Sequence, residues 1–446
     1  MEWSKLCGNR SYLMNFDAVI IGAGVIGAAL ALELSKAGFK TLNVDKNHDA
    51  GMGSTSGSCA IVRVHYSTLD GSALAYEGYF DWKNWSDYLG VEDTLGNATF
   101  IECGCLVMKT EQNGFMKKHK SICDELRIPY EEWGSKLIKE KLPIYSQDSY
   151  SPAKRIDDKD FGKSNGSLVN SGVFFPTAGY VTDPQLSAHN LKVAAEKHGA
   201  RFKFGTEVTN INKKNNKVVG INTSNGDVVN APIVINVAGP ASFKINKMAG
   251  VENEMNIKTR PLRQEVVHVP QPKGFDFENN GFVVSDSDIS CYVRPEHGGN
   301  ILIGSEDPEC DIREFVDDDD DFNREFTEQW DNQALRYAQR VPSLGIPSRK
   351  RGVVELYDAS DDWIPIYDKS SLNGFYMACG TSGNQYKNAT VAARMMVGLI
   401  QYCEAGNNHD EKPFKYHLTK LDRELDVGFF SRLRKINPES SNSVLG

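Results

Sequence analysis

The sequence has no apolar run long enough to cross a membrane. Its longest, residues 18–32, is broken by three glycines and falls short of the ~20 residues a spanning helix needs. The stretch before Phe16 carries Glu2 and no apolar segment of the kind that forms a secretory signal. Positive charge is not in excess either: 50 Lys plus Arg against 59 Asp plus Glu leave a net charge of −9. Nucleic acid and anionic membrane surfaces are thereby excluded as main partners, while a local cationic pocket for an anionic substrate is not. Nine cysteines, scattered from Cys7 to Cys403, form no disulfide framework. Cys103-Gly-Cys105 has no second pair at zinc spacing, and no metal is expected. A reducing, cytoplasmic setting follows. Internal repeats, low-complexity domains and a Gly-x-Ser-x-Gly nucleophile elbow are all missing.

What is present is the composition of an ordinary globular chain. Its 446 residues are 40% apolar and 24% charged, enough for two or three structural units of about 150 residues. Residues 16–21, Phe-Asp-Ala-Val-Ile-Ile, read as a buried parallel strand. Gly22-Ala23-Gly24-Val25-Ile26-Gly27 follows at once, then a helical stretch to Ala37 stopped by Gly38, then a second strand, residues 40–44, ending on Asp45. This is a complete βαβ unit with a dinucleotide fingerprint. Gly22 permits the tight turn, Gly24 lets backbone approach a pyrophosphate, Gly27 lets helix and strand pack, and Asp45 accepts from a ribose.

Further along, Asp183-Pro184 opens an amphipathic helix to Gly199, and strand-like runs fill 201–204, 207–211, 217–223 and 233–237. Strands dominate 264–303. The aspartates 317–321 read as a solvated loop or helix start before a helix over 322–340. The last unit runs from a strand at 374–378 through Gly380-Thr-Ser-Gly383 into a helix over 388–402, and the polar tail after Asn407 is expected to wrap the surface. The two ends thus form halves of one nucleotide-binding domain (1–95, 172–248 and 352–415), with a strand-rich domain inserted (96–171 and 249–351) and a C-terminal tail (416–446). The expected class is α/β, α+β overall.

Four motifs in order carry a more specific likeness. They are the fingerprint; the hydroxyl-rich loop Gly53-Ser-Thr-Ser-Gly-Ser-Cys-Ala-Ile-Val-Arg63; Val234-Ile-Asn-Val-Ala-Gly-Pro240; and Gly380-Thr-Ser-Gly-Asn-Gln-Tyr-Lys387. With the strand start Arg260-Pro-Leu-Arg-Gln-Glu265 between them, the chain resembles the D-amino-acid oxidase superfamily of FAD enzymes, and within it sarcosine oxidase and related N-methyl amino acid oxidoreductases. The resemblance implies a Rossmann-like FAD-binding domain with an inserted substrate domain of mixed or antiparallel sheet plus helices. It places FAD on Gly22, Gly24, Val25, Ile26, Gly27, Asp45 and Lys46, then on Gly53, Ser54, Thr55, Gly57 and Ser58. It continues through Val208, Ala238 and Gly239 to Gly380, Ser382, Gly383, Asn384, Gln385 and Lys387.

By the same resemblance, Arg63 and Lys387 hold a substrate carboxylate and Tyr357 lines the space over the flavin ring. A guanidinium fork and a compact ammonium suit that anion. His65, just after Arg63, is a further candidate for the substrate side. The departures also matter. Glu355 stands where some relatives tether flavin through cysteine, and Gly57 where others use histidine, so the FAD is expected to be non-covalent. No lysine occurs in Asn300-Ile-Leu-Ile-Gly304, where oxidase relatives carry one that promotes reaction with oxygen. The electron acceptor, oxygen or another carrier, stays open, as does a homo-oligomer. The expected reaction is oxidation of a secondary or tertiary amine of a small amino acid to an imine that hydrolyses. The rivals are a flavin dehydrogenase of a 2-hydroxy acid or polyol, using His65 or His268 as base, and a non-catalytic flavoprotein assembly factor.

Overall fold

The computed structural model describes residues 13–445; Cys7, the rest of the opening segment and Gly446 lie outside the described residues. A six-stranded sheet forms the nucleotide half, in the order Arg201–Lys203, Thr41–Val44, Ala18–Ile21, Ile233–Asn236, Phe375–Cys379, Ile366–Lys369. The first five strands run parallel and the last is antiparallel. Ala18–Ile21, Thr41–Val44, Ile233–Asn236 and Phe375–Cys379 are buried at every position, which is why their apolar runs show no alternation.

The helix Val25–Lys36 packs against both Pro184–Lys197 and Ala389–Glu404, so its Ala- and Leu-rich sequence is buried almost all round. Pro184–Lys197 starts as its sequence dictates. Asp183 accepts from the N–H of Leu186 at 2.8 Å, and Pro184 sits in the first turn where its missing N–H is not needed. On the other face of the sheet lie four strands, Leu13–Asn15, Val228–Asn230, Lys217–Thr223 and Val208–Lys214, over an apolar layer that includes Val19, Val234 and Phe375.

A second, larger sheet runs Glu314–Phe315, Thr259–Pro270, Asn300–Ser305, Cys291–Glu296, Val283–Asp286, Cys105–Met108, Ser171–Phe175, Glu131–Gly134, with Gly352–Ser360 paired to Thr259–Pro270. Ser171–Phe175 and Gly352–Ser360 therefore pair in this sheet, although most of one and all of the other fall inside the expected nucleotide segments. The helix Glu328–Arg340 covers it, burying Trp330, Ala334 and Tyr337. No helix of the described residues is long and apolar enough to cross a membrane. The eight described cysteines are all free.

Three local expectations are corrected. The helix before Arg340 begins at Glu328, not Phe322, because Thr327 caps it and Arg263 draws the carbonyls of Asn323 and Glu325 into its own guanidinium at 2.6 Å each. The aspartate run is not simply solvated: Asp319 is buried, bonded to Lys46 at 2.7 Å and to Lys244 at 2.6 Å, while Asp318 and Asp320 pair with the same lysines. The tail does more than wrap the surface. After the hairpin Lys415–Leu418 and Arg423–Asp426 it returns to the interior, where Val444 and Leu445 line the main cavity.

Candidate active site

One cavity runs between the two sheets, from the glycine-rich turn to Arg63 and Lys387. At its nucleotide end the glycines are sterically required. Gly22 has φ +118°, and a Cβ there would lie 2.4 Å from the carbonyl oxygen of Val237. A Cβ on Gly27 would lie 2.4 Å from the carbonyl oxygen of Gly22. Gly24 precedes the helix with no side-chain cap, and Gly24, Val25, Ile26 and Gly27 all line the cavity. The positive end of the helix dipole is thereby presented to an anion. Asp45 closes the second strand and is oriented by the N–H groups of Ala23, at 2.6 Å, and Asn47, at 2.8 Å, each oxygen keeping a lone pair for a ribose hydroxyl. Thr55 accepts from the N–H of Val25 at 3.1 Å, which holds the hydroxyl-rich loop over the turn.

The same cavity is lined by Lys46, Gly53, Ser54, Thr55, Gly57, Ser58, Val208, Ala238, Gly239, Gly383, Asn384 and Gln385. Gly57 and Glu355 face each other: a Cβ at position 57 would lie 2.6 Å from Cγ of Glu355. Burial raises the pKa of that carboxyl. Gly380 and Ser382 stand behind the wall. Ser382, at φ +48° and fully buried, bonds the carbonyl of Gly380 and the N–H of Ser360, so it builds the turn rather than lining the cavity. Asp358, which the sequence reading missed, does line it. Burial pushes its carboxyl up to about 7, and Oδ2 accepts from the N–H of Gly380 at 2.6 Å.

At the opposite end stand the two cations. Arg63, 8% exposed, donates Nη1 to the carbonyl of His65 at 2.6 Å and Nη2 to the carbonyl of Val444 at 2.9 Å. Lys387, 3% exposed, donates to the hydroxyl of Tyr66 at 2.7 Å and the carbonyl of Asn384 at 2.6 Å. Burial, and then the charge of Arg63, hold the Lys387 ammonium well below the usual lysine pKa. Tyr66 was invisible to sequence reasoning because no motif marks it, yet its ring lies under Arg63 and its hydroxyl takes Lys387.

Tyr357 lines the cavity and packs against Gly383, whose Cβ would fall 2.4 Å from the ring. Tyr292, Cys105, Val283, Ser285 and Gln264 complete the walls near Arg63. His65 does not line the cavity. It is buried and stacked on Phe175, with ring centroids 4.4 Å apart, and burial holds its pKa well below the usual value. His268 does not line it either, and among the described residues no histidine does.

A family model described as FAD dependent oxidoreductase matches residues 17–399. The chain is 23% identical over 407 residues to sarcosine oxidase subunit beta of Rhodobacter capsulatus, spanning 89% of this chain and 88% of that protein. It is 22% identical over 393 residues to hydrogen cyanide synthase subunit HcnC of Pseudomonas aeruginosa, spanning 83% and 88%. Among solved structures it resembles L-proline dehydrogenase from P. horikoshii, with a TM-score of 0.73 and 21% identity over 95% of this chain and 98% of that one. Glycine oxidase from Geobacillus kaustophilus gives 0.72 and 19%, over 95% and 100%. At these identities the structures speak for the fold, and the family match speaks for the cofactor that the glycine turn, Asp45 and the adjoining cavity suit. The chain belongs to the FAD dependent oxidoreductase family, and FAD is its cofactor.

Proposed function

We propose that the chain oxidises the amine of a small amino acid, one with a secondary or tertiary N-methyl nitrogen, to an imine that hydrolyses. The observation that carries this reading is the pair of buried basic groups, Arg63 and Lys387, at one end of the cofactor cavity, partnered among the described residues only by carbonyls and a phenol. A buried cation is costly without a counter-charge, and a substrate carboxylate supplies one. The relatives support the substrate class: the names sarcosine oxidase, dimethylglycine dehydrogenase and N-methyl-L-tryptophan oxidase all specify N-methylated amines.

Non-covalently bound FAD supplies the two-electron acceptor for the carbon next to nitrogen. The chain's own residues do the rest. Arg63 gives the carboxylate a fork with spare N–H donors, and Lys387 adds a compact charge from the other side. Together they fix the Cα–H bond relative to the ring, the kind of alignment worth several kcal/mol in rate. Tyr357 and Tyr292 shape the wall beside it and exclude water. An amine bound neutral needs no base, and the absence of a histidine from the lining favours it over a hydroxy acid, whose oxidation calls for one.

The test is anaerobic mixing of the holoprotein with N-methylated, D- and cyclic amino acids, and with 2-hydroxy acids. Bleaching of the flavin band at ~450 nm by an N-methyl amino acid supports the reading. Bleaching by 2-hydroxy acids alone would overturn it.

A further inference from the structure

The two carbonyls that hold Arg63 come from opposite ends of the chain. That of His65 is supplied by the local backbone, and that of Val444 by the C-terminal segment. Val444 is 8% exposed and packs in an apolar cluster with Cys59, Leu262, Tyr292 and Trp363. Two residues earlier, the carbonyl of Asn442 accepts from Nη2 of Arg313 at 2.7 Å, and that guanidinium lies 5.1 Å over the ring of Trp363. The C-terminal segment is thus held at Arg313 and in the apolar cluster while its Val444 carbonyl meets the Arg63 guanidinium.

We infer that Val444 is a positioning residue of the anion site. Its carbonyl, kept in place by the Arg313–Asn442 bond and the apolar cluster, fixes the Arg63 guanidinium, and its side chain walls the pocket and limits the substrate admitted. The inference rests on the proposed reading of Arg63 as a carboxylate anchor. A plug that a substrate must expel would fit the observations less well. The segment has a buried side chain and a separate anchor at Arg313, and the Val444 carbonyl takes one of the five N–H donors of Arg63. With one further donor given to His65, three remain for an anion. A hydrogen-bonded partner that orients a binding group commonly matters roughly tenfold or more to the ligand.

The holoprotein is titrated with sodium acetate, then with sodium phenylacetate, following the flavin absorption spectrum. The full chain is compared with a variant ending at Glu439, and with Arg313→Ala and Arg313→Lys. The shortened chain should bind acetate about tenfold more weakly with FAD retained. Arg313→Lys, which keeps a donor for Asn442, should bind more tightly than Arg313→Ala. The shortened chain should also favour phenylacetate over acetate more than the full chain does. A shortened chain that keeps its FAD and binds acetate as tightly as the full chain, or more tightly, overturns the inference. Should the shortened chain lose FAD, unchanged acetate binding by Arg313→Ala overturns it equally. The two readings fail differently. Acetate binding that is absent in the full chain, or indifferent to Arg63→Ala, defeats the carboxylate anchor and this inference with it. Binding that needs Arg63 but ignores the tail defeats this inference alone.

Discussion

The guanidinium of Arg63 and the ammonium of Lys387 share one aromatic ring: they lie 4.2 Å and 5.0 Å from the centroid of Tyr66. Both side chains are buried, and among the described residues neither forms a salt bridge. The phenol face attracts Arg63 and its hydroxyl accepts from Lys387, which offsets part of the repulsion between the two basic groups. The remainder is available to an incoming carboxylate.

Each cation should therefore be worth roughly 2–4 kcal/mol of carboxylate binding. Arg63→Ala and Lys387→Ala should each lower kcat/KM for an N-methyl amino acid by about 30-fold or more. Arg63→Lys should remain impaired, because a point charge replaces a fork. The double variant should lose less than the sum, since both groups act on one anion. Steady-state kinetics of the wild type and these four variants tests this.

The lowered Lys387 pKa sets a pH dependence. Burial and Arg63 favour the neutral amine when no anion is bound, and a bound carboxylate favours the ammonium. Carboxylate binding should therefore take up a proton, and affinity should fall as pH rises through the lowered pKa of the free site. Calorimetry of acetate binding in buffers of different ionisation enthalpy should show the uptake, and Lys387→Met should abolish it.

Cofactor binding depends on two steric facts. Gly22→Ala places a methyl against the Val237 carbonyl at an unfavourable φ, and should yield protein without bound FAD by absorbance. Acid precipitation of the wild type should release all its flavin, because Glu355 and Gly57 stand where the resemblance implies the tethering residues. Colour in the pellet would show a covalent bond.

Asp358 links the site to stability. Its folded pKa of about 7 exceeds the ordinary 3.8, so the folded chain holds this proton more tightly than the unfolded chain does. The resulting stability is fully present below the unfolded value and is lost as pH rises through about 7. Asp358→Asn keeps an acceptor for Gly380, and should flatten that part of the melting temperature profile.

Reduced flavin should react slowly with air and faster with an artificial acceptor. No lysine stands on Asn300–Ser305, where the resemblance to sarcosine oxidase implies one in oxidases, and a bound carboxylate offsets one of the charges of Arg63 and Lys387. Stoichiometric hydrogen peroxide at the full turnover rate would contradict this.

The nucleotide half was legible because its signals are local. Residues 18–45 combine unbroken apolar strands, a glycine turn and a terminal acid, and each feature has a physical cause that is visible in sequence. Arg63 and Lys387 were readable through motifs at their own positions. What escaped the sequence was what long-range contact decides. His65 sits among apolar residues and turned out to stack on Phe175, away from the cavity. The aspartates of 317–321 looked like a solvated run until Lys46 and Lys244, far away in the chain, met them. Tyr66 and Val444 carry no local pattern at all. Their roles arise only when chain ends and loops converge on Arg63.

The most direct test compares sarcosine with dimethylamine, the same secondary amine without its carboxylate, in anaerobic flavin reduction by the wild type and by Arg63→Ala. The carboxylate clamp predicts that the wild type prefers sarcosine by about a hundredfold or more in kcat/KM, and that Arg63→Ala loses most of this preference while reacting with dimethylamine almost as before. A preference for sarcosine unchanged within about threefold in Arg63→Ala, less than 1 kcal/mol, would contradict the account.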